Sequence, residues 1–110
     1  MEKVVLNNGV VMPTLGIGTF LIEPPDAERG VREALKMGYR HVATANLYQN
    51  ERAVGRAIKE SGVPRNEIFL ATKIWPTEYH NPNAVEETLE RLGVFFMSIS
   101  LPVIGKLVTE

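Results

Sequence analysis

Two side chains with useful chemistry follow two apolar runs of this 110-residue sequence. Residues 40–45 are followed by a polar stretch, so they predict a buried strand and a strand-to-helix loop that carries Tyr48. Residues 68–74 predict a second strand, with Lys73 at or near its end. Tyr48 offers a phenol and Lys73 a charged ammonium. If the strands are parallel, both side chains lie at the carboxyl edge of the sheet, where such folds place their sites.

Each of these residues also has an ordinary structural interpretation. Tyr48 alone could be a half-buried aromatic with one hydrogen bond. Lys73 could be a strand-end lysine that packs its stem and leaves its ammonium in water. His41 and His80 have no companion cysteines and no paired ligand spacing, so they predict structural or surface roles and no metal site.

Composition describes an ordinary globular chain. It is 45% hydrophobic and 23% charged, with a formal net charge of −1, which provides no electrostatic footprint for nucleic acid or an anionic membrane. The absence of cysteine excludes disulfides and thiol catalysis and fits a reducing compartment. No apolar run approaches the roughly 20 residues of a membrane helix. We therefore expect a cytoplasmic protein without nucleic-acid or membrane partners.

Short β-prone runs separated by turn residues predict the strands. An Asn-Gly turn at 7–9 predicts a hairpin at the start of the chain, which Pro13 ends. Gly16 and Gly18 indicate that the backbone of the first main strand approaches a neighbour closely. The predicted strands are 3–6, 10–12, 15–21, 40–45, 68–74 and 95–101.

Three amphipathic helices are predicted between the main strands. Prolines or asparagines open them and glycines end them. Their predicted limits are Pro24 to Gly38, Asn50 to Gly62 and Asn81 to Gly93, with Asn50 and Asn81 as caps and Pro82 as the first residue of the third helix. The side chains predicted to face the core are Ala27, Val31, Ala34 and Leu35, then Ala53, Val54, Ala57 and Ile58, then Val85, Leu89 and Leu92.

The alternation of strands and helices predicts the fold class. The main strands begin near residues 15, 40, 68 and 95, and one helix joins each pair, which indicates α/β structure with parallel strands and right-handed crossovers. An open doubly wound sheet and part of a β/α barrel both fit. Gly16 and Gly18 precede the end of their strand instead of opening a helix as a GxGxxG motif, which favours the barrel.

Four segments resemble the amino-terminal part of the aldo-keto reductase family, over roughly residues 3–94. They follow the family's order and spacing, which makes the resemblance specific. The segments are LNNGVVMPTLGIGTF, GYRHVATANLYQNE, GRAIKESGVPRNEIFLATKIW and ETLERLGV. The resemblance implies a (β/α)8 TIM barrel that reduces aldehydes and ketones with NADPH, using an Asp, Tyr, Lys and His tetrad at the carboxyl ends of the strands.

The same resemblance assigns roles to individual residues. Tyr48 matches the general acid, and Lys73 matches the cation beside it. A phenol holds its proton at neutral pH, and a nearby ammonium favours the phenolate, which helps proton transfer to the developing alkoxide. Thr19 matches a position near the cofactor, while Phe20 and Trp75 resemble aromatic walls of the substrate pocket.

Two tetrad positions depart from the family. Ala43 stands where the family has the aspartate, so the ion pair that would hold Lys73 is missing. Val103 stands where the family has the histidine, and residues 95–110 resemble the family poorly.

The length of the chain predicts an incomplete barrel. A β/α barrel takes about 250 residues, so residues 1–110 predict one partial domain containing a hairpin and the first four β/α units. Such a half barrel leaves two open sheet edges, which predict a homodimer. The apolar run 101–104 could cover part of the open face or enlarge it.

Two functions from different classes follow. The first is an NAD(P)H-dependent reductase of small carbonyl compounds, or part of one, with Tyr48 as acid and Lys73 in support. Because half of the tetrad and most of the family's cofactor contacts are missing, we expect the isolated chain to have lost or impaired activity. The second is a non-catalytic, truncated or diverged half barrel that persists by self-association.

Overall fold

The structure is a computed structural model that describes the backbone of residues 2–94 and 98–100 and the side chains of residues 2–94. The described residues form a hairpin, a four-stranded sheet and three α-helices. In chain order the elements are β1 (Lys3–Val5), β2 (Val11–Pro13), β3 (Ile17–Gly18), α1 (Pro24–Lys36), β4 (His41–Ala43), α2 (Glu51–Glu60), β5 (Phe69–Lys73), α3 (Ala84–Leu92) and β6 (Ser98–Ser100).

The predicted hairpin is confirmed. Strands β1 and β2 pair antiparallel, with Lys3 opposite Pro13. The backbone N–H of Gly9 donates to Leu6 O over 2.9 Å, and Gly9 has φ +87°, a conformation that glycine adopts at no steric cost.

The main sheet has the predicted parallel topology. Its order is β3-β4-β5-β6, and each neighbouring pair is parallel, with Ala43 opposite Ala71 and Lys73 opposite Ser100. Among the described residues, each crossover contains one α-helix. Strands β3 and β6 are the two edges of this described sheet, so the described part of the barrel is open.

The core lies between the sheet and the helices. Val42 and Leu70 point from β4 and β5 towards the helices and are almost fully buried. The predicted inward residues of α1 and α2 are all buried, because their 3.6-residue spacing puts them on one helix face.

The first main strand is shorter than predicted. Only Ile17 and Gly18 pair with β4, because the chain then turns through Leu21, whose φ of +53° is left-handed. Gly16 makes the predicted close approach, since an added Cβ would lie 2.8 Å from Cγ of His41. The same prediction is wrong for Gly18, where an added Cβ would have nothing within 4 Å.

The start of the third helix was also predicted incorrectly. Helix α3 begins at Ala84 because residues 81–84 form a turn, in which the backbone N–H of Asn83 donates to Asn81 Oδ1 over 2.9 Å. Val85 is 41% exposed and does not face the core. Leu89 is half-buried, and the buried positions of the helix are Ala84, Thr88 and Leu92.

The other ends of α3 and of the sheet agree with prediction where the chain is described. Gly93 ends α3 in a left-handed conformation with φ +69°. Strand β6 lies within the predicted strand 95–101, of which 95–97 and 101 lie outside the described residues. The run 101–104 lies outside them as well. Across residues 2–94 and 98–100, the structure contains no helix with the length and apolar character needed to cross a membrane.

Candidate active site

A short 3-10 helix positions Tyr48. It spans Asn46–Tyr48, directly after β4, and the backbone N–H of Tyr48 donates to Ala45 O over 3.1 Å. Gln49 then takes a left-handed φ of +58°, after which the chain enters α2. Tyr48 is half-buried at the carboxyl edge of the sheet, on the predicted strand-to-helix loop.

Lys73 lies beside Tyr48, as the two strands predicted. It is the last residue of β5, and its Nζ is 5.1 Å from the centroid of the Tyr48 ring. The ammonium also donates to the backbone O of Thr44 over 3.0 Å. A phenol and an ammonium are therefore held together at one edge of the sheet, with the cation close enough to interact with the aromatic ring.

Two aromatic residues predicted to line the site approach it differently. Phe20 packs edge-on against Tyr48, with ring centroids 5.2 Å apart and an interplanar angle of 83°. Its side chain is 62% exposed, so Phe20 lies open to solvent beside the phenol. Trp75 is half-buried, and its backbone N–H donates to Asn46 Oδ1 over 3.1 Å. This bond ties the segment after β5 to the 3-10 helix that carries Tyr48.

Thr19 lies behind the site. Its hydroxyl donates to Ala43 O over 3.2 Å, and its backbone N–H donates to the same oxygen over 3.1 Å. Only 1% of its surface is exposed. Thr19 thus joins the end of β3 to the end of β4 and presents no free hydroxyl at the surface.

The charge of Lys73 has no carboxylate partner among the described residues. Ala43 lies opposite Ala71, on the same face of the sheet as Lys73, because alternate strand residues share a face. Its methyl group cannot pair with an ammonium. Val103, the other departing position, lies outside the described residues.

Asn50 has a role that the sequence interpretation missed. It occupies the residue before α2, but its side chain does not cap that helix. Its Nδ2 donates to Thr19 O over 2.8 Å and to Ile22 O over 3.0 Å, and its Oδ1 accepts from the Thr44 hydroxyl over 2.9 Å. The predicted cap is wrong because three partners from two other segments occupy the amide.

Glu51 is a second missed residue. It is 2% exposed, accepts from the Thr72 hydroxyl over 2.8 Å, and pairs with Arg91 Nε over 2.7 Å. The sequence does carry a signal for it, because Glu51 lies on the same helical stripe as Val54 and Ile58. A charge on an apolar stripe indicates a buried and paired carboxylate.

His41, one of the two histidines considered as metal ligands, has ordinary structural contacts. His41 Nδ1 lies 3.0 Å from Pro13 O, and its ring packs edge-on against Phe69 with centroids 4.9 Å apart. Within the described ranges, no three His, Cys, Asp or Glu side chains gather where a metal ion could bind.

Solved structures define the class of this fold. An aldo/keto reductase from Brucella melitensis superposes with a TM-score of 0.84 at 41% identity, covering 87% of this chain and 38% of that one. MGS-M4, an aldo-keto reductase from a deep-sea metagenome library of the Medee basin, gives 0.82 at 45% identity and covers 86% and 36%. These neighbours are TIM barrels, so the described chain has the fold of the first β/α units of such a barrel, without closing it.

Sequence comparisons define the family. The model of the Aldo/keto reductase family matches residues 14–99, and the chain belongs to that family. Glycerol 2-dehydrogenase (NADP(+)) of Saccharomyces cerevisiae is 48% identical over 97 residues, which cover 87% of this chain and 31% of that enzyme. Glyoxal reductase of Bacillus subtilis is 41% identical over 104 residues, covering 91% and 38%. The chain spans about a third of the length of these relatives.

Proposed function

We propose that this chain carries the proton-donating part of a centre that reduces small aldehydes or ketones to alcohols, with Tyr48 as the general acid and Lys73 as its supporting cation. One observation carries the proposal: Lys73 Nζ lies 5.1 Å from the Tyr48 ring at the carboxyl edge of a parallel sheet. The family and its reductase relatives supply the reaction class.

The roles of the two residues follow from their chemistry. As hydride adds to the carbonyl carbon, negative charge develops on the carbonyl oxygen, and the Tyr48 hydroxyl donates its proton there. The resulting phenolate is stabilised by Lys73 and later takes a proton from water. The backbone O of Thr44 holds the ammonium in place. Phe20 provides an apolar wall beside the phenol, against which an organic substrate can pack.

NADPH is the cofactor that the family implies, and it supplies the hydride when bound. The described residues fit its reacting end, since Ala43 and Ala71 are small and half-buried on the face that carries Lys73. Those methyl groups and Lys73 would hold a planar ring there. Thr19, which is predicted to lie near the cofactor, would support Ala43 through packing, because its hydroxyl donates to Ala43 O.

The proposal is tested by removing one hydroxyl. Tyr48→Phe should lower NADPH-dependent reduction of an aromatic aldehyde by about 100-fold or more, the contribution typical of a general acid. Tyr39→Phe is the matched control, because Tyr39 is also half-buried but lies at the opposite end of β4. NADPH binding, followed by fluorescence quenching, should be similar in the two variants. Equal turnover by both variants would refute the role of Tyr48.

A specific observation also favours the second function, a non-catalytic half barrel that self-associates. The segment after edge strand β3 exposes three consecutive apolar side chains, Phe20, Leu21 and Ile22. An exposed edge with an apolar neighbour is suited to pairing with a second copy. Light scattering should then show a dimer that Leu21→Asp dissociates, together with no Tyr48-dependent turnover. A compact monomer would refute it.

A further inference from the structure

Asn50 bonds to the turn that presents Phe20 and to the threonine whose backbone holds Lys73, and both of those side chains pack against the Tyr48 ring. Its side chain is a buried amide, 1% exposed, with both N–H groups and its oxygen engaged. A buried amide is expensive to leave unpaired, so these bonds define the position of whatever they hold. The two carbonyls that accept from the amide belong to Ile22 and Thr19, 28 and 31 residues earlier in the chain. The hydroxyl that donates to it belongs to Thr44, 6 residues earlier.

The two donor bonds hold the turn that presents Phe20. Asn50 Nδ2 reaches Thr19 O and Ile22 O, the carbonyls on either side of Phe20 and Leu21. The turn is itself closed by a bond of 3.1 Å from the Ile22 N–H to Thr19 O, and it contains the left-handed Leu21. A left-handed leucine is unfavourable alone and needs fixed neighbours. The amide of Asn50 supplies that fixation.

The acceptor bond holds the partner of Lys73. Asn50 Oδ1 accepts from the Thr44 hydroxyl, while the backbone O of the same threonine accepts from Lys73 Nζ. Thr44 therefore links Asn50 to Lys73. Thr19, which accepts from the Asn50 amide, directly precedes Phe20. Its own backbone is fixed by the first turn of α2, where the Val54 N–H donates to Asn50 O over 3.0 Å.

We propose that Asn50 is a positioning residue that sets the places of Phe20 and Lys73 relative to Tyr48. In this role Asn50 acts through Thr44 and the turn after β3. The inference rests on the proposed function for its catalytic consequence, whereas its structural consequence can be measured without any turnover.

The test compares two asparagines in equivalent helix positions. Asn50→Asp keeps the shape and the acceptor but replaces two donors by an oxygen that faces two carbonyls. Asn83→Asp is the matched control, because Asn83 also precedes a helix, has no side-chain capping bond and is exposed. In labelled protein, nuclear Overhauser contacts from the Tyr48 ring to Phe20 and to the Lys73 side chain report the arrangement directly.

We expect wild type and Asn83→Asp to show both sets of contacts, and a folded Asn50→Asp to lose them or weaken them at least threefold. A folded Asn50→Asp with contacts like those of Asn83→Asp would overturn the proposal. If Asn50→Asp does not unfold cooperatively, it is not folded well enough for the comparison, and Thr44→Val is measured instead. It removes only the bond on the lysine side, so it should weaken the contact to Lys73 and keep the contact to Phe20. Unchanged contacts to Lys73 would then overturn it.

Turnover provides the second readout. If wild-type turnover is sensitive to Tyr48→Phe, Asn50→Asp should lower kcat on the order of 10- to 100-fold and change KM by less than about threefold, because misplacement of a reacting group affects the chemical step. An unchanged kcat in that case would overturn the positioning role. Absence of Tyr48-dependent turnover would refute the proposed function instead and leave the test by Overhauser contacts intact.

Discussion

The two faces of the parallel sheet differ in how completely they are covered. Towards the helices, Val42, Leu70 and Thr72 are almost fully buried, and α2 and α3 approach closely at Gly55. On the opposite face the side chains of β5 are only half-buried, including Lys73 at the carboxyl edge. Within the described chain, the face towards the helices forms a buried core, whereas the face that carries the proposed chemistry is only partly covered.

This difference separates two kinds of constraint. On the covered face, close packing and buried polar pairs define the structure, so small changes should cost free energy of unfolding. On the open face, substitutions should change charge and contact with little effect on that free energy. Stability measurements on matched variants can therefore test whether the two faces are as different as the structure indicates.

The largest effect is expected at the contact between α2 and α3. A methyl group at Gly55 would collide with the backbone carbonyl of Leu92, which cannot move as a side chain could. Gly55→Ala should lower the free energy of unfolding by about 3 kcal/mol, as overpacking does. Gly30 is the matched control, because it lies within α1 and an added Cβ there meets nothing within 4 Å.

Gly30→Ala should raise the stability by up to about 1 kcal/mol, the gain from alanine in a helix interior. Urea unfolding measures the free energy of unfolding of both variants. If Gly55→Ala were as stable as Gly30→Ala, the close packing of α2 on α3 would be wrong.

A smaller loss is expected from the buried carboxylate of Glu51. Glu51→Gln weakens the bond to Thr72 and removes the ion pair with Arg91, whose side chain is 30% exposed and can be rehydrated. We therefore expect the free energy of unfolding to fall by about 2 kcal/mol, less than for a fully buried pair. Glu86→Gln is the control, since Glu86 is also an acid in a first helical turn but is exposed. Equal losses would show that the helix dipole, and not the buried pair, accounts for the effect.

The same two faces explain what the sequence could predict. The stripes of α1 and α2 were predicted correctly, because an apolar period of 3.6 residues reports burial against a sheet. The carboxyl-edge position of Tyr48 and Lys73 followed from the order of strands and helices, which places loop residues together in any parallel sheet. Both inferences use patterns that can be read along the chain: the apolar period within each helix and the order of strands and helices.

The errors arose where distant contacts override local patterns. Asn50 has the residue type and position of a helix cap, but its partners lie up to 31 residues away in sequence. Strand β3 ends early because the turn through Leu21 is held by that same amide. Neither bond leaves a periodic signal in the sequence. The details of the open edge therefore depend on tertiary hydrogen bonds between segments that are distant in the sequence.

On the open face, a new carboxylate should pair with Lys73. In Ala43→Asp the added side chain shares the face of Lys73 and lies diagonally across the strand pair, within reach of a long side chain. Relative to Ala43→Asn, which has the same shape without the charge, stability should rise by less than about 1 kcal/mol. The difference should shrink as sodium chloride is added, because salt screens exposed pairs. A difference that is independent of salt would contradict an ion pair.

The smallest effect is expected at Val85, and it tests the corrected start of α3. If the helix begins at Ala84, Val85 points to solvent, and Val85→Ala should change the free energy of unfolding by less than about 0.5 kcal/mol. Val54→Ala, on the covered face of α2, should cost about 2 kcal/mol by leaving a cavity. Thermal or urea unfolding compares the two truncations directly. Equal costs would place Val85 in the core and restore the helix start that the proline at 82 had predicted.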